Sequence, residues 1–124
     1  MADILLDTSA WVSAARRDPA FPPVAMGRRR AIASSLAVAE LASLAAQGRV
    51  EPAALGHLLA TVHLEHPTTE DLAAAGDLHG TLRGDRASKA SLIDCIAYQS
   101  ARRLGVPLLT RDRDLLGQPG IIVF

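Results

Sequence analysis

The stretch that decides the fold is Ile4-Leu5-Leu6-Asp7-Thr8-Ser9-Ala10. Its apolar run, bounded by polar residues, predicts a short buried strand over residues 4–6. The short polar side chains that follow can cap a helix that begins near Ala10. A strand that passes directly into a helix is the first half of a parallel α/β unit, and Asp7 occupies the strand end, where open α/β sheets bind ligands.

Short apolar runs and helical segments continue to alternate along the chain. Further strands are predicted at residues 31–33, 61–64, 106–109 and 121–124, although residues 61–64 can also extend the helix that precedes them. Helices are predicted at about residues 35–47, 52–59, 68–83 and 91–104. The alternation predicts an α/β fold with a mainly parallel sheet of about four or five strands and helices on both faces.

Length, composition and charge bound the class of protein. The chain has 124 residues, so we expect a single domain over residues 1–124 that buries its own core. The formal net charge is zero and gives no indication of a nucleic-acid partner. Cys95 is the single cysteine, which excludes a disulfide framework and a thiolate metal site. No apolar run is long enough to span a membrane, so we expect a cytoplasmic protein without membrane contact.

Four acidic residues stand where an α/β domain rarely places an unpaired charge: Asp7, Glu40, Asp94 and Asp112. Asp7 and Asp112 follow predicted strands, and if these strands are parallel neighbours, both side chains enter the same crevice. Glu40 lies on the apolar stripe of its helix, between Leu36 and Leu44. Asp94 lies in the first turn of another helix, at the border of its buried stripe. The four acids are therefore candidates for one shared site.

Each acid also has a structural explanation that the sequence leaves open. Asp7 can cap a helix, and Asp112 can form a turn within residues 110–114. Ser91 and Asp94 have the spacing of a capping box, and an acid in the first turn is favoured by the helix dipole. Glu40 can be partly exposed, because an alanine-rich helix has a poorly defined apolar face. The positions become informative only in combination.

Taken together, converging carboxylates indicate a bound cation. A carboxylate is costly to desolvate without a partner, and clustered carboxylates repel one another. The four histidines lie in the middle third of the chain, away from these acids, and Cys95 is expected to be a buried, inert side chain. Oxygen ligands alone are typical of hard divalent ions, so the expected cofactor is Mg²⁺ or Mn²⁺.

The segments that carry the acids also match a known family. The segment Leu5-Leu6-Asp7-Thr8-Ser9-Ala10-Trp11-Val12 resembles the opening of PIN domains, and Ser35-Leu36-Ala37-Val38-Ala39-Glu40-Leu41 resembles their second acidic motif. The segment Leu92-Ile93-Asp94-Cys95-Ile96-Ala97 and the stretch from Gly105 to Leu115 are similar to the third and fourth motifs. The order and spacing of the motifs, with the chain length, resemble the small VapC-type toxins of bacterial toxin–antitoxin pairs.

The resemblance implies a fold, an activity and partners. The fold would be a PIN-like α/β/α sandwich, and the activity that of a Mg²⁺- or Mn²⁺-dependent endoribonuclease with the four acids as catalytic metal ligands. Members are commonly homodimers, and a cognate antitoxin blocks their cleavage of RNA. Supporting groups near the site are expected at Thr8, Ser9, Thr110 and Asp114, and Asp114 can alternatively be a metal ligand or a turn residue. Arg111 and Arg113 are expected to contact RNA phosphates, with ordinary solvent exposure as the alternative.

The chain departs from the family pattern in places, and other functions fit parts of it. The segment between Asp18 and Ala31 is proline-rich where many relatives carry more helix, and Tyr98 stands where a small residue is more common. A phosphatase of haloacid dehalogenase type needs a second Asp where this chain has Ser9. A receiver-type signalling module needs a lysine after a late strand, whereas the single lysine here lies in a predicted loop. A catalytically silent PIN-like binding module is the remaining alternative, which the intact acidic set disfavours.

Overall fold

The architecture is a parallel sheet with helices between its strands. The computed structural model describes residues 3–21, 29–84, 89–115 and 117–124. Its strands are β1 (Asp3–Leu6), β2 (Arg30–Ser34), β3 (His63–Glu65), β4 (Leu108–Thr110) and β5 (Ile121–Val123). The helices in the described ranges are α1 (Thr8–Ala15), α2 (Ser35–Ala46), α3 (Pro52–Thr61), α4 (Thr69–Gly84) and α5 (Leu92–Leu104). None of these helices is long and apolar enough to cross a membrane.

The sheet is covered on both faces, because successive side chains of β1 point to opposite sides. Leu5 packs with side chains of α4 and α5 in one core cluster. Ile4 and Leu6 pack on the other face with side chains of α1 and α2. All three are almost fully buried, and burial of each stabilises the fold by about 1.5–3 kcal/mol. The predicted α/β fold with helices on both faces of a parallel sheet is confirmed.

The centre of the sheet is also the point where the strand order reverses. The order is β3-β2-β1-β4-β5, so the chain builds outward from β1 on one side and then returns to the other side at β4. Such a reversal leaves a crevice beyond the carboxyl ends of the strands. Leu6 pairs with Ala33 of β2 and with Leu109 of β4. The next residues along the three strands therefore lie in one row at the crevice: Ser34, Asp7 and Thr110.

Two strands begin later than the sequence predicts: β4 begins at Leu108 rather than at residue 106, and β3 begins at His63 rather than at residue 61. Residues 61–64 are predicted as a strand, with an extension of the preceding helix as the alternative. Helix α3 continues through Thr61, whose hydroxyl donates to the carbonyl groups of His57 and Leu58 at 3.1 and 3.3 Å. Strand β3 begins only at His63, so the helical alternative is confirmed for Thr61. Much of the proline-rich segment and of the predicted loop before α5 (residues 22–28 and 85–88) lies outside the described residues.

Candidate active site

Asp7 is the central acid of the crevice, and it is only 3% exposed. Its Oδ1 accepts hydrogen bonds from the Ala10 backbone N–H (2.9 Å) and from the Ser9 hydroxyl (2.6 Å). Its Oδ2 accepts a hydrogen bond from the Thr110 hydroxyl on β4 (2.5 Å). The Ala10 contact caps α1, so the capping role considered from the sequence is confirmed. These contacts hold the carboxylate in one orientation at the point where the strand order reverses.

Thr110 connects the first acid to the fourth. Its buried hydroxyl lies 3.3 Å from the Ser9 hydroxyl and accepts a hydrogen bond from the Asp112 backbone N–H (2.9 Å). Asp7 and Thr110 share one row of the sheet, whereas Asp112 lies two residues further along the chain. Asp112 is therefore linked to Asp7 through Thr110.

Glu40 approaches the same region from α2. It is partly exposed, and its Oε1 accepts a hydrogen bond from the hydroxyl of Thr8, the residue after Asp7. This contact joins the first turn of α1 to the middle of α2. Glu40 is therefore connected to the crevice through Thr8.

Asp94 combines a structural role with a position at the crevice. Its Oδ2 accepts a hydrogen bond from the Ser91 N–H (3.0 Å), and its own N–H donates to the Ser91 hydroxyl (3.1 Å). This is the capping box that the sequence suggests, and it is confirmed. Asp94 and Asp7 also line a common cavity of about 10 Å³, which is close to the space that about one water molecule requires. Thr8 and Ser34 are the other polar residues of its wall.

Asp112 and Asp114 form a turn next to the crevice. Oδ1 of Asp112 accepts a hydrogen bond from the Asp114 backbone N–H (2.9 Å), so the turn considered from the sequence is confirmed. The cavity between Asp7 and Asp94 is not lined by either residue, nor by Glu40. The structure thus brings Asp7 and Asp94 to one cavity and leaves Glu40 and Asp112 at its periphery.

The carboxyl groups nevertheless influence one another. Burial raises the pKa of Asp7, and hydrogen bonds from Ser9, Thr110 and Ala10 oppose this shift without cancelling it. Burial also raises the pKa of Asp112, against the hydrogen bond from the Asp114 N–H, and the neighbouring Asp114 carboxyl adds to the increase. The charge of Asp94 raises both pKa values further. A cation placed among these groups would relieve their repulsion.

The donors at the cavity are of the oxygen type that a hydrated divalent ion uses, whereas the cavity itself has room for about one water molecule. Within the described ranges, no three His, Cys, Asp or Glu residues are grouped closely enough to hold a metal ion by themselves. Mg²⁺ needs no such group, because it commonly binds one or two carboxylates and completes its shell with water and phosphate oxygens. Asp7 and Asp94, beside a cavity of about 10 Å³, supply donors of that kind. Mn²⁺ accepts the same oxygen ligands.

The two arginines near Asp112 have different surroundings. The Arg111 guanidinium forms an ion pair with Asp18, which follows α1, and lies 5.6 Å from the centre of the Phe124 ring. Arg113 is exposed and forms no hydrogen bond or ion pair with the described part of the chain. Arg113 can therefore reach an external anion without breaking an internal contact.

Two further residues are not predicted from sequence as part of this region, although Ser34 is predicted as a helix cap and that role is confirmed. Ser34 is buried, caps α2 through the Leu36 N–H (3.3 Å) and lines the cavity with Asp7. Its place at the end of the strand beside β1 is a signal that could have identified it. Asp18 is the partner of Arg111 across 93 residues, and no local pattern indicates that pairing.

Cys95 and a larger cavity lie outside the acidic site. Cys95 is fully buried, as predicted, and burial raises its pKa to about 11, which disfavours the reactive thiolate. A cavity of about 760 Å³ lies between the end of α1 and the start of α3. Its wall includes Arg16, Arg17, Arg49 and His57, and it shares no residue with the acidic site.

Comparisons with known proteins identify the fold. The solved structures that resemble the chain include DNA-bound VapBC from Salmonella typhimurium, with a TM-score of 0.75, 18% identity and coverage of 100% of this chain and 98% of that chain. A toxin–antitoxin complex from Klebsiella pneumoniae has a TM-score of 0.71, 19% identity and coverage of 98% and 97%. VapC20 from Mycobacterium tuberculosis has a TM-score of 0.65, 19% identity and coverage of 88% of both chains. No curated protein matches the chain in sequence.

These structural likenesses concern the fold, and the family follows from the sequence. The model of the PIN domain family matches residues 4–119, which include all four predicted acids. The chain therefore belongs to the PIN domain family.

Proposed function

We propose that this protein is a metal-dependent endoribonuclease and the toxin of a type II toxin–antitoxin pair. The observation that carries the proposal is the water-sized cavity of a PIN domain, lined by Asp7 and Asp94, at the point where the strand order reverses. Two similar structures are a VapBC complex and a toxin–antitoxin complex, and VapC20 is described as a toxin that cleaves the sarcin–ricin loop. The proposal extends that kind of activity to this chain.

A bound Mg²⁺ or Mn²⁺ would lower the pKa of its water ligand below that of bulk water. It would also stabilise negative charge on the phosphate and on the leaving oxygen. Asp7 and Asp94 are the ligands that the cavity favours, with Glu40 and Asp112 completing the acidic set. Hydrogen bonds from Ser9 and Thr110 keep the Asp7 carboxylate in one orientation.

The remaining groups act on Glu40 and on the substrate. Thr8 orients Glu40 through its hydroxyl, and the Asp112–Asp114 turn fixes the fourth acid. Arg113, exposed beside Asp112, is the arginine best placed to hold an RNA phosphate.

The proposed partners follow from the same family assignment. They are an RNA substrate, a cognate antitoxin that blocks the site and a second copy of the chain in a homodimer. The proposed place of action is the cytoplasm, where these partners meet. Growth arrest on expression, relieved by co-expression of the neighbouring reading frame, would support the pairing with an antitoxin.

The direct experiment compares RNA cleavage by three single variants. We expect Asp7→Asn and Asp94→Asn to lower Mg²⁺- or Mn²⁺-dependent cleavage by at least about 100-fold, because each removes a charged oxygen ligand. Asp77→Asn is the matched control, since Asp77 is exposed on α4, away from the crevice. Circular dichroism checks that all three proteins fold.

Two outcomes would contradict the proposal. Equal cleavage in the presence of EDTA would remove the role of the metal. A folded wild-type protein that binds an antitoxin but cleaves no RNA would instead identify a catalytically silent PIN-like module.

A further inference from the structure

We propose that Arg111 is a positioning residue, which together with Asp18 and Phe124 holds the strand end that carries Thr110 and Asp112. Arg111, Asp18 and Phe124 together form the Arg111 clasp. The inference rests on the proposed nuclease function and assigns to Arg111 a role different from the RNA contact expected from sequence. Arg113 keeps that expected contact.

The side chain of Arg111 is engaged on several sides. Its Nη1 forms an ion pair with Asp18 Oδ2 and lies 3.5 Å from the Ser13 hydroxyl. Its guanidinium carbon lies 5.6 Å from the centre of the Phe124 ring, within the range of a cation–π contact. That ring meets Phe21 edge to face, with centroids 5.7 Å apart and planes at 87°. These contacts hold the guanidinium through Nη1 and the Phe124 ring, while the side chain as a whole stays 43% exposed.

Asp18 is held in place on its own side of the clasp. Its backbone N–H donates to the Ser13 carbonyl (3.0 Å), and its Oδ1 accepts a hydrogen bond from the Ala20 N–H (2.9 Å). Its Oδ2 is the atom that pairs with Arg111. Both carboxylate oxygens therefore have partners, so Asp18 is a fixed anchor for the guanidinium.

The backbone at Arg111 connects the clasp to the acidic site. The Arg111 N–H donates to the Ser9 hydroxyl (3.0 Å), and that hydroxyl donates to Asp7 Oδ1 (2.6 Å). The Phe124 N–H donates to the Thr110 carbonyl (3.1 Å), so the aromatic member of the clasp is tied to the same strand end. Arg111 also lies between Thr110 and Asp112 in the chain. Release of its side chain should loosen the support of both Asp7 and Asp112.

Arg111→Met and Asp18→Asn separate positioning from RNA contact. Each variant should weaken Mn²⁺ affinity, measured by calorimetry, by about tenfold and lower kcat by a similar factor, because groups that orient metal ligands have effects of this size. The Kd for RNA in EDTA should stay within twofold of wild type. The double variant should be no worse than either single variant, since both break one interaction.

The controls use other charged residues of the chain. Arg30→Met breaks the Arg30–Asp3 ion pair (2.8 Å), which is also partly exposed but lies at the opposite end of the sheet, and should leave metal affinity and kcat unchanged. Arg113→Met should raise the Kd for RNA. It should also reduce the slope of log Kd against log salt concentration by about one.

Opposite effects of Arg111→Met and Asp18→Asn on the Kd for RNA would overturn the inference. If Arg111 contacts RNA, Arg111→Met weakens RNA binding, whereas Asp18→Asn frees the guanidinium and tightens binding. Unchanged metal affinity and kcat in both variants would overturn it as well.

Failure of the nuclease proposal can be distinguished from failure of the clasp. A wild-type protein without metal-dependent cleavage contradicts the proposed function alone. The clasp is then judged by amide hydrogen exchange at residues 110–112. Faster exchange in Arg111→Met supports the clasp, and unchanged exchange overturns it.

Discussion

Asp7 and Asp71 are buried to nearly the same degree, 3% and 4% exposed, but their surroundings differ. Asp71, near the start of α4, accepts hydrogen bonds from the Thr68 N–H (3.1 Å), the Ser100 hydroxyl (3.0 Å) and Arg103 Nε (3.0 Å). From the residues that the structure describes, Asp7 receives N–H and hydroxyl donors but no guanidinium, and it faces the charge of Asp94.

The two pKa values accordingly move in opposite directions. Burial raises the pKa of Asp7, and the charge of Asp94 adds to the increase. At Asp71 burial also acts to raise the pKa, but hydrogen bonds from Thr68, Arg103 and Ser100 outweigh it and hold the pKa below its ordinary value. Asp71 is satisfied by the protein itself, whereas Asp7 has no positively charged partner among the described residues. A buried carboxylate with a raised pKa and no positive partner is typical of functional sites.

The largest effect on stability is expected at Asp71. Asp71→Asn should lower the free energy of unfolding by about 2–3 kcal/mol at neutral pH, because it removes the charge from a buried carboxylate that accepts several hydrogen bonds and leaves Arg103 with Glu65 (2.9 Å) as its remaining ion-pair partner. Urea denaturation measures the loss, and Asp77→Asn on the exposed face of the same helix should stay within about 0.5 kcal/mol of wild type. Equal stability of Asp71→Asn and wild type would mean that the charge of Asp71 and its hydrogen bonds do not stabilise the fold.

The pH dependence of that loss has a definite sign. Because the pKa of Asp71 is lowered in the folded state, its contribution is complete above the ordinary value of 3.8 and is lost as the pH falls through the folded-state pKa. The difference between wild type and Asp71→Asn should therefore be constant from pH 5 to 7 and shrink in more acidic solution.

A bound metal ion should supply the positive charge at Asp7 that Arg103 supplies at Asp71. At a Mn²⁺ concentration about 100 times the Kd, the wild-type protein should gain about 2.7 kcal/mol of stability. Asp71 has its counterion already, so the gain should depend on Asp7 and disappear in Asp7→Asn. Thermal unfolding with and without Mn²⁺ measures both values. An equal gain in Asp7→Asn would place the ion elsewhere.

Much of the fold follows from local patterns. The side chains of Ile4, Leu5 and Leu6 alternate between the two faces of the sheet, and all three are apolar. Both faces must therefore be buried, which identifies β1 as a central parallel strand. The edge strand β3 is harder to predict, because its short segment is mostly exposed and its periodicity competes with that of α3. Tertiary pairing with β2 places its start at His63.

The candidate site follows from sequence only in part. Asp7 and Thr110 can be found because each stands at a strand end, and the register then brings them into contact. The Arg111–Asp18 pair is different, since Asp18 lies outside the strands and no strand register brings it to Arg111, 93 positions away. The Asp71–Arg103 pair spans 32 positions in the same way. Such pairings are created by packing, and the sequence near either partner contains no sign of them.

The next largest effect is expected on RNA cleavage when Thr110 no longer supports Asp7. Thr110→Val keeps the shape of the side chain but removes the hydroxyl that donates to Asp7 and accepts from the Asp112 N–H. We expect about a tenfold loss of RNA cleavage, because the carboxylate then lacks a fixed orientation. Thr110→Ser restores the hydroxyl and should recover most of the activity, measured with the same RNA. Failure of the Ser variant to recover would assign Thr110 a packing role.

The smallest effect should be a gain in stability at the site itself. Asn caps helices about as well as Asp, so Asp7→Asn keeps the cap of α1 while it removes a buried charge. Because the pKa of Asp7 is raised in the folded state, the wild-type carboxyl costs nothing below its ordinary value of 3.8, and the cost grows as the pH rises through the folded-state pKa. Metal-free Asp7→Asn should therefore be more stable than wild type at pH 7, by about 1 kcal/mol, with the gain vanishing in acid. A loss of stability at pH 7 in EDTA would show that Asp7, like Asp71, is satisfied by the protein alone.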